Sequence, residues 1–239
     1  MNLCAKMFAL GTLLVTASAL ASADVIGINS QPGTGALNSG TVGYAGGGPA
    51  PYGASGPTFN VSPTSNNPWQ MALPGSNWVS VDPNSGPNGG ETTGTFDPNG
   101  VYKYTYSFST IAGNTYSFTA PLQVMADDTT QLWINGTEIV PDGAIGTDVQ
   151  CADGLPDCRS AYTLSSAQLA AFLAVINAGT TTNFTLTFDV DQTGSFYQGL
   201  DFAGAIRGEG AVPEPSSLLL LGTGLVGAAG SLFRRIRHA

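Results

Sequence analysis

The chain is short of the residues on which most enzymes and most nucleic-acid binders depend. Its single histidine is His238, the penultimate residue, so no Ser-His-Asp or Cys-His nucleophile system and no His-ligated zinc or iron centre can be built in the body. Positive charge is equally scarce. Between Asp24 and Val212 only Lys103, Arg159 and Arg207 stand against fifteen acidic residues, a net charge of −12. Such a surface repels phosphate, which excludes nucleic acid as a partner. No serine sits in a G-x-S-x-G elbow, and no P-loop or dinucleotide-type glycine loop is present. Paired carboxylates remain the one enzymatic option, for glycoside hydrolysis, and no motif selects a pair. We therefore expect no enzyme.

What is there begins at the two ends. Lys6, the apolar stretch from Phe8 to Val15 with Leu20 behind it, and Ala21-Ser22-Ala23 have the form of a signal peptide with a small-x-small cleavage site. Cleavage after Ala23 makes Asp24 the mature N-terminus. Cys4 precedes the apolar run, where a lipoprotein would need a cysteine after it. At the other end, residues 216–233 carry no charge over 18 positions, enough for a helix of roughly 27 Å, about the thickness of a bilayer core. Arg234, Arg235 and Arg237 follow at once, so the positive-inside rule leaves the body exported.

The order Pro213-Glu214-Pro215, apolar helix, Arg cluster resembles the PEP-CTERM sorting signal of Gram-negative bacteria. That resemblance covers about the last thirty residues. It implies recognition and cleavage by an exosortase after signal peptidase has acted, transient anchoring in the inner membrane, and delivery to the cell surface or extracellular matrix. An ordinary single-pass anchor that is never cut is the alternative reading of the same residues.

About 190 residues lie between these ends, enough for one core. The expected division is a signal peptide over 1–23, a Gly/Pro-rich arm over 24–57, a β-sandwich over 58–210, and the sorting signal over 211–239. From Gly27 to Pro57 the composition is mostly Gly, Pro, Ser, Ala and Thr, too poor in apolar residues to offset ordering entropy, with Val25 to Ile28 able to pair as an edge strand. Beyond it, Tyr102, Tyr104, Tyr106 and Phe108 alternate on one strand face, and Phe184, Leu186, Phe188 and Val190 do so on another. Leu132 to Ile134 runs into Asn135-Gly136, a type I′ hairpin turn, and returns through Val140. Strands are also expected at Asn77 to Val81, Tyr116 to Phe118, Leu122 to Met125 and Leu200 to Arg207. One helix interrupts, capped by Ser165 with Gln168 in the reciprocal position and ended by Asn177-Ala178-Gly179. The predicted class is all-β, a β-sandwich or jelly roll with one short helix, flanked by the signal helix and a transmembrane helix.

Cys151 and Cys158 are the cysteines left after signal cleavage, and in an oxidising compartment they are expected to pair, a closure worth roughly 2.5 kcal/mol on the loop-entropy account. The strand NWVS, then Gly100, Tyr102, Tyr104 and Ser107-Phe108, then Ala126-Asp127-Asp128 and a strand closing on Asn-Gly, resembles galactose-binding-like jelly-roll domains. In adhesin lectins of protective-antigen type, a similar Asp-Asp pair binds calcium and, through it, sugar hydroxyls, which implies a metal site at Asp127 and Asp128. Oxygen ligands suit Ca2+ in an exported protein. Two further acidic groups qualify, Asp148 with Asp153 and Asp157, and Asp189 with Asp191; a solvated acidic turn is the competing reading of all three. Trp69 and Trp78 can stack on sugar rings or be buried. Two functions follow: a non-catalytic surface or matrix protein adhering in exopolysaccharide or biofilm, or a calcium-assisted carbohydrate-binding module.

Overall fold

A computed structural model describes residues 23–33, 41–66, 68–87, 97–144, 151–152, 154–194, 196–210, 221–229 and 233. The chain separates into two units, one of residues 23–209 and one of the two chain ends, 1–22 and 210–239.

The first unit is built of two antiparallel sheets. One runs β3 (Phe59–Asn60), β4 (Val79–Ser80), β11 (Gly199–Glu209), β6 (Thr115–Asp127), β9 (Tyr162–Thr163), with β1 (Asp24–Asn29) also on β11. The other runs β2 (Val42–Gly46), β5 (Gly100–Ser109), β10 (Asn183–Gln192), β7 (Thr129–Ile134), β8 (Thr137–Val140). Alternation decides which faces meet. On β5 the four aromatics from Tyr102 to Phe108 are all buried while Val101, Lys103 and Ser109 are exposed, and on β10 Phe184, Leu186, Phe188 and Val190 point the same way. Across the interior Phe188 stacks on Phe202 of β11 at 4.6 Å, and Tyr106 meets the same ring edge-on at 5.4 Å. One hydrophobic cluster therefore joins both sheets, and the fold is a β-sandwich.

Local signals explain the connections. Asn135 and Gly136 both take positive φ, +47° and +79°, as a type I′ turn demands, and join β7 to β8. Helix α1 (Ser166–Asn177) opens on a capping box: Ser165 Oγ accepts from Gln168 N, and Gln168 Oε1 accepts from Ser165 N at 2.9 Å. Its Phe172 and Ile176 are buried, and Phe172 packs on Phe118 of β6 with ring centroids 5.4 Å apart.

Two features depart from the pattern read in the sequence. Tyr116 to Phe118 and Leu122 to Met125 are not separate strands but one β6, because Pro121 and Leu122 bulge together opposite the single Gly204 of β11 and pairing resumes beyond them. The Gly/Pro-rich stretch before Pro57 contains β2, on the edge of the second sheet against β5. Val42 and Tyr44 carry it, both buried, with the Tyr44 hydroxyl donating to Tyr52 O at 2.6 Å. Two well-placed apolar side chains suffice when a ten-residue partner strand is already in place.

A smaller cluster lies apart from the main core: Val61, Trp69, Leu73, Trp78, Met125, Cys151, Cys158 and Ala203. Trp69 and Trp78 stack at 4.3 Å over Gly199, where a Cβ would come within 2.6 Å of the Trp69 ring. Cys151 and Cys158 form the expected disulfide in this cluster, with Cα atoms 5.5 Å apart. In the second unit, residues 221–229 are helical, and among the described residues no helix is long and apolar enough to cross a membrane. Apart from Phe233, the rest of the expected span over 216–233, the signal peptide through Ser22, and the sorting residues Pro213, Glu214, Pro215, Arg234, Arg235 and Arg237 lie outside the described residues.

Candidate functional site

Strand β6 ends and β10 runs out at the same end of the sandwich, and this brings Asp127, Asp128 and Asp191 to one end of the fold. Asp127 is 1% exposed and Asp128 fully buried. The peptide bond between them is cis. The Asp127 carboxylate accepts from the Trp69 indole N–H, and Asp128 Oδ2 accepts from the Thr193 hydroxyl at 2.6 Å and from the Thr193 backbone N–H. Backbone bonds hold the pair as well: Asp128 N donates to Asp191 O at 2.8 Å, and Ala152 N donates to Asp128 O at 3.3 Å. Asp127 also lies near the two cysteine sulfurs, which are occupied with each other in the disulfide. Trp69 and Trp78 are both fully buried, so their ring faces meet each other and not a ligand.

The other acidic groups are more open. Asp157 Oδ1 accepts from the backbone N–H of Arg159 and Ser160, both at 2.8 Å, an Asx-turn; Asp148 and Asp153 lie outside the described residues. Asp189 faces Lys103 across the β10–β5 pair at 3.6 Å. Its neighbour on the same face, Asp191, is pushed up to about 6, first by burial and then by the like charges of Asp142, Asp189 and Asp128. Asp142 is raised too, by burial against a bond from Gln131 Nε2, with Asp189 and Glu138 adding to the rise. These carboxylates share one another's field, and Lys103 faces Asp189 in an ion pair.

Two buried acids had no signal in the sequence. Asp201 is wholly inside β11, where it accepts from Ser30 Oγ at 2.7 Å and from Leu73 N at 2.8 Å. Burial raises its pKa while these bonds lower it, the arrangement of a structural tie between the end of β1, β11 and the tryptophan loop, the segment from Trp69 to Trp78 that carries Leu73. Asp97 stands just before β5 in the run Thr95-Phe96-Asp97-Pro98-Asn99-Gly100, which reads as a solvated turn. It is 1% exposed instead, and burial lifts it to about 6. Only the neighbouring strand ends, distant in sequence, could have disclosed that.

At the opposite end of β5 and β6, a cleft of about 260 Å³ lies between the turn at Thr110 to Thr115 and the end of α1, lined by Asn114, Tyr116, Ile176, Asn177, Thr181 and Thr182 among others. It contains no carboxylate.

No curated protein and no solved structure matches the chain. Residues 211–235 match the PEP-CTERM protein-sorting motif, so the chain ends in the signal that implies an exosortase-sorted, exported surface protein.

Proposed function

We propose that the mature β-sandwich is a non-catalytic surface or extracellular-matrix protein of a Gram-negative cell, acting by adhesion within exopolysaccharide or a biofilm. The observation that carries this reading is the PEP-CTERM motif over residues 211–235, following a body with no histidine and a strong net negative charge. In this reading the signal peptide is removed after Ala23, residues 216–233 span the inner membrane briefly, and exosortase cuts near Pro213. Strand β1 starts at Asp24 and β11 ends at Glu209, so both cuts fall outside the folded body. The reading is preferred to a calcium-assisted sugar site at Asp127 and Asp128. Such a site requires exposed, converging side chains beside the pair, and both residues are buried with bonds to Trp69 and Thr193.

Expression of the full chain in a host with an exosortase and in one without tests the sorting. The intact mass should show a C-terminus trimmed near Pro213 only in the first host; Arg234 and Arg235 retained in both would mean an ordinary anchor. Cosedimentation of the trimmed product with exopolysaccharide from the same host tests adhesion, and a product that stays in the supernatant at every polysaccharide concentration defeats it.

A further inference from the structure

Several fully buried polar atoms lack a hydrogen-bond partner: both oxygens of Asp97, Ser85 Oγ, Gln198 Nε2, and both amide atoms of Gln192. Asp189 Oδ1 is a further one, faced by Lys103 at 3.6 Å, and the other four residues are not scattered. Gln192 is paired with Gly100, three residues after Asp97, and Gln198 N donates to the backbone oxygen of Ser85 at 3.3 Å. The Ser85 and Tyr52 hydroxyls approach the Asp97 carboxylate and temper its raised pKa, yet neither reaches hydrogen-bonding geometry on either oxygen. Tyr52 Oη also donates to Asp82 Oδ2 at 3.1 Å, so one phenol faces two carboxylates.

Native interiors satisfy nearly all their polar atoms, and a concentrated exception points to water or an ion. Here charge decides between them. Among the described residues, the ionisable groups facing Asp97 are Asp82 and the phenols of Tyr44, Tyr52, Tyr102 and Tyr104, none of which is a cation. Water relieves the missing bonds but leaves the buried Asp97 carboxylate beside the half-buried Asp82, whose charge adds to the cost; a cation relieves both. The donors on offer are hard oxygens, two carboxylates and a hydroxyl, with no imidazole and no thiolate, a set that suits calcium over zinc or copper.

We propose that Asp97, Asp82 and Ser85 form a binding site for a divalent hard cation of calcium type, separate from Asp127 and Asp128. The site takes in side chains from the loop after β4 and the turn before β5, and an ion there ties the two together. It does not depend on the adhesion reading.

Tyr52 and Tyr102 stand beside the site, so bound terbium(III) should luminesce when tyrosine is excited, and calcium should compete it away. The exported product of the full chain is titrated with terbium(III) near neutral pH, alone and against Ca2+, and its Tm is followed with and without Ca2+. Saturable luminescence, competed by Ca2+ and absent in Asp97→Asn, with a Ca2+-dependent rise in Tm, is the expected result. Ser85→Ala keeps both carboxylates and should weaken binding about tenfold, which guards against a variant that fails to fold. A chain that shows no saturable signal and no Tm response overturns the proposal. So does a signal that survives Asp97→Asn and disappears in Asp128→Asn, which would place the ion at the Asp127 and Asp128 pair.

Discussion

The two ends of the sandwich are finished in opposite ways. Where β5 turns into β6, α1 closes the core with Phe172 and Ile176, and the polar atoms at the junction are matched. Asn177 accepts from Tyr116 N at 2.8 Å and donates to Tyr116 O at 3.0 Å, and the Tyr116 hydroxyl accepts from Ile111 N at 2.7 Å. At the other end, Asp97, Asp127 and Asp128 are buried, Asp191 is half-buried among like charges, and Ser85, Gln192 and Gln198 hold unmatched atoms. A neutral, satisfied end contributes to stability. An end that carries buried acids gives up stability, and such a loss is retained where an ion or ligand recovers it.

Substitutions at each end should sharpen that contrast. The largest effect is expected for Trp69→Ala, which removes the stack on Trp78 and leaves the Asp127 carboxylate without its indole donor. Loss of the ring should lower stability by about 4 kcal/mol, read as the shift in urea midpoint at constant m. A change under about 1 kcal/mol would mean that the tryptophan loop contributes little to holding the acidic end.

Asp97→Asn should act in the opposite direction when no metal is present. The Asp97 pKa rises from its ordinary 3.8 to about 6 on folding, so the folded state binds the proton more tightly than the unfolded one. Wild-type stability from this group is complete below about pH 4 and is lost as pH rises to about 6. The asparagine variant escapes that loss and should be more stable than wild type above pH 6, by on the order of 2 kcal/mol, with no difference at pH 4. Thermal melts in chelator across that range check it. Equal pH profiles would remove the case for an uncompensated acid at this end.

The smallest effect belongs to the helical end. Ser165→Ala breaks the capping box of α1 and should cost about 1 kcal/mol, independent of pH and of calcium. A calcium-dependent cost would join the two ends and spoil the contrast.

Elements made by neighbours in sequence were legible before any coordinates. The aromatic stripe of β5, the Asn135-Gly136 turn and the Ser165 to Gln168 box each depend on residues within a few positions, and each occurs as read. β2 was not legible, because Gly, Ala and Tyr in Val42–Gly46 have little strand pattern of their own and pair only because β5 is there. The burial of Trp69 and Trp78 was one of two open readings, settled by their contact with each other above Gly199.

The sequence by itself determined that the chain carries an export and sorting signal and that its body is acidic. A sorting signal is a linear order of proline, apolar run and arginine, and a body without histidine and with few basic residues is a matter of composition. Only the tertiary structure decided which acids matter. Asp127 and Asp128, marked by resemblance, are bonded inside to Trp69 and Thr193, while Asp97, in a run that reads as a turn, lies among unmatched oxygens. The reason is physical: the state of a carboxylate is set by burial and by the groups that face it, and here those groups come from segments as much as 65 residues away.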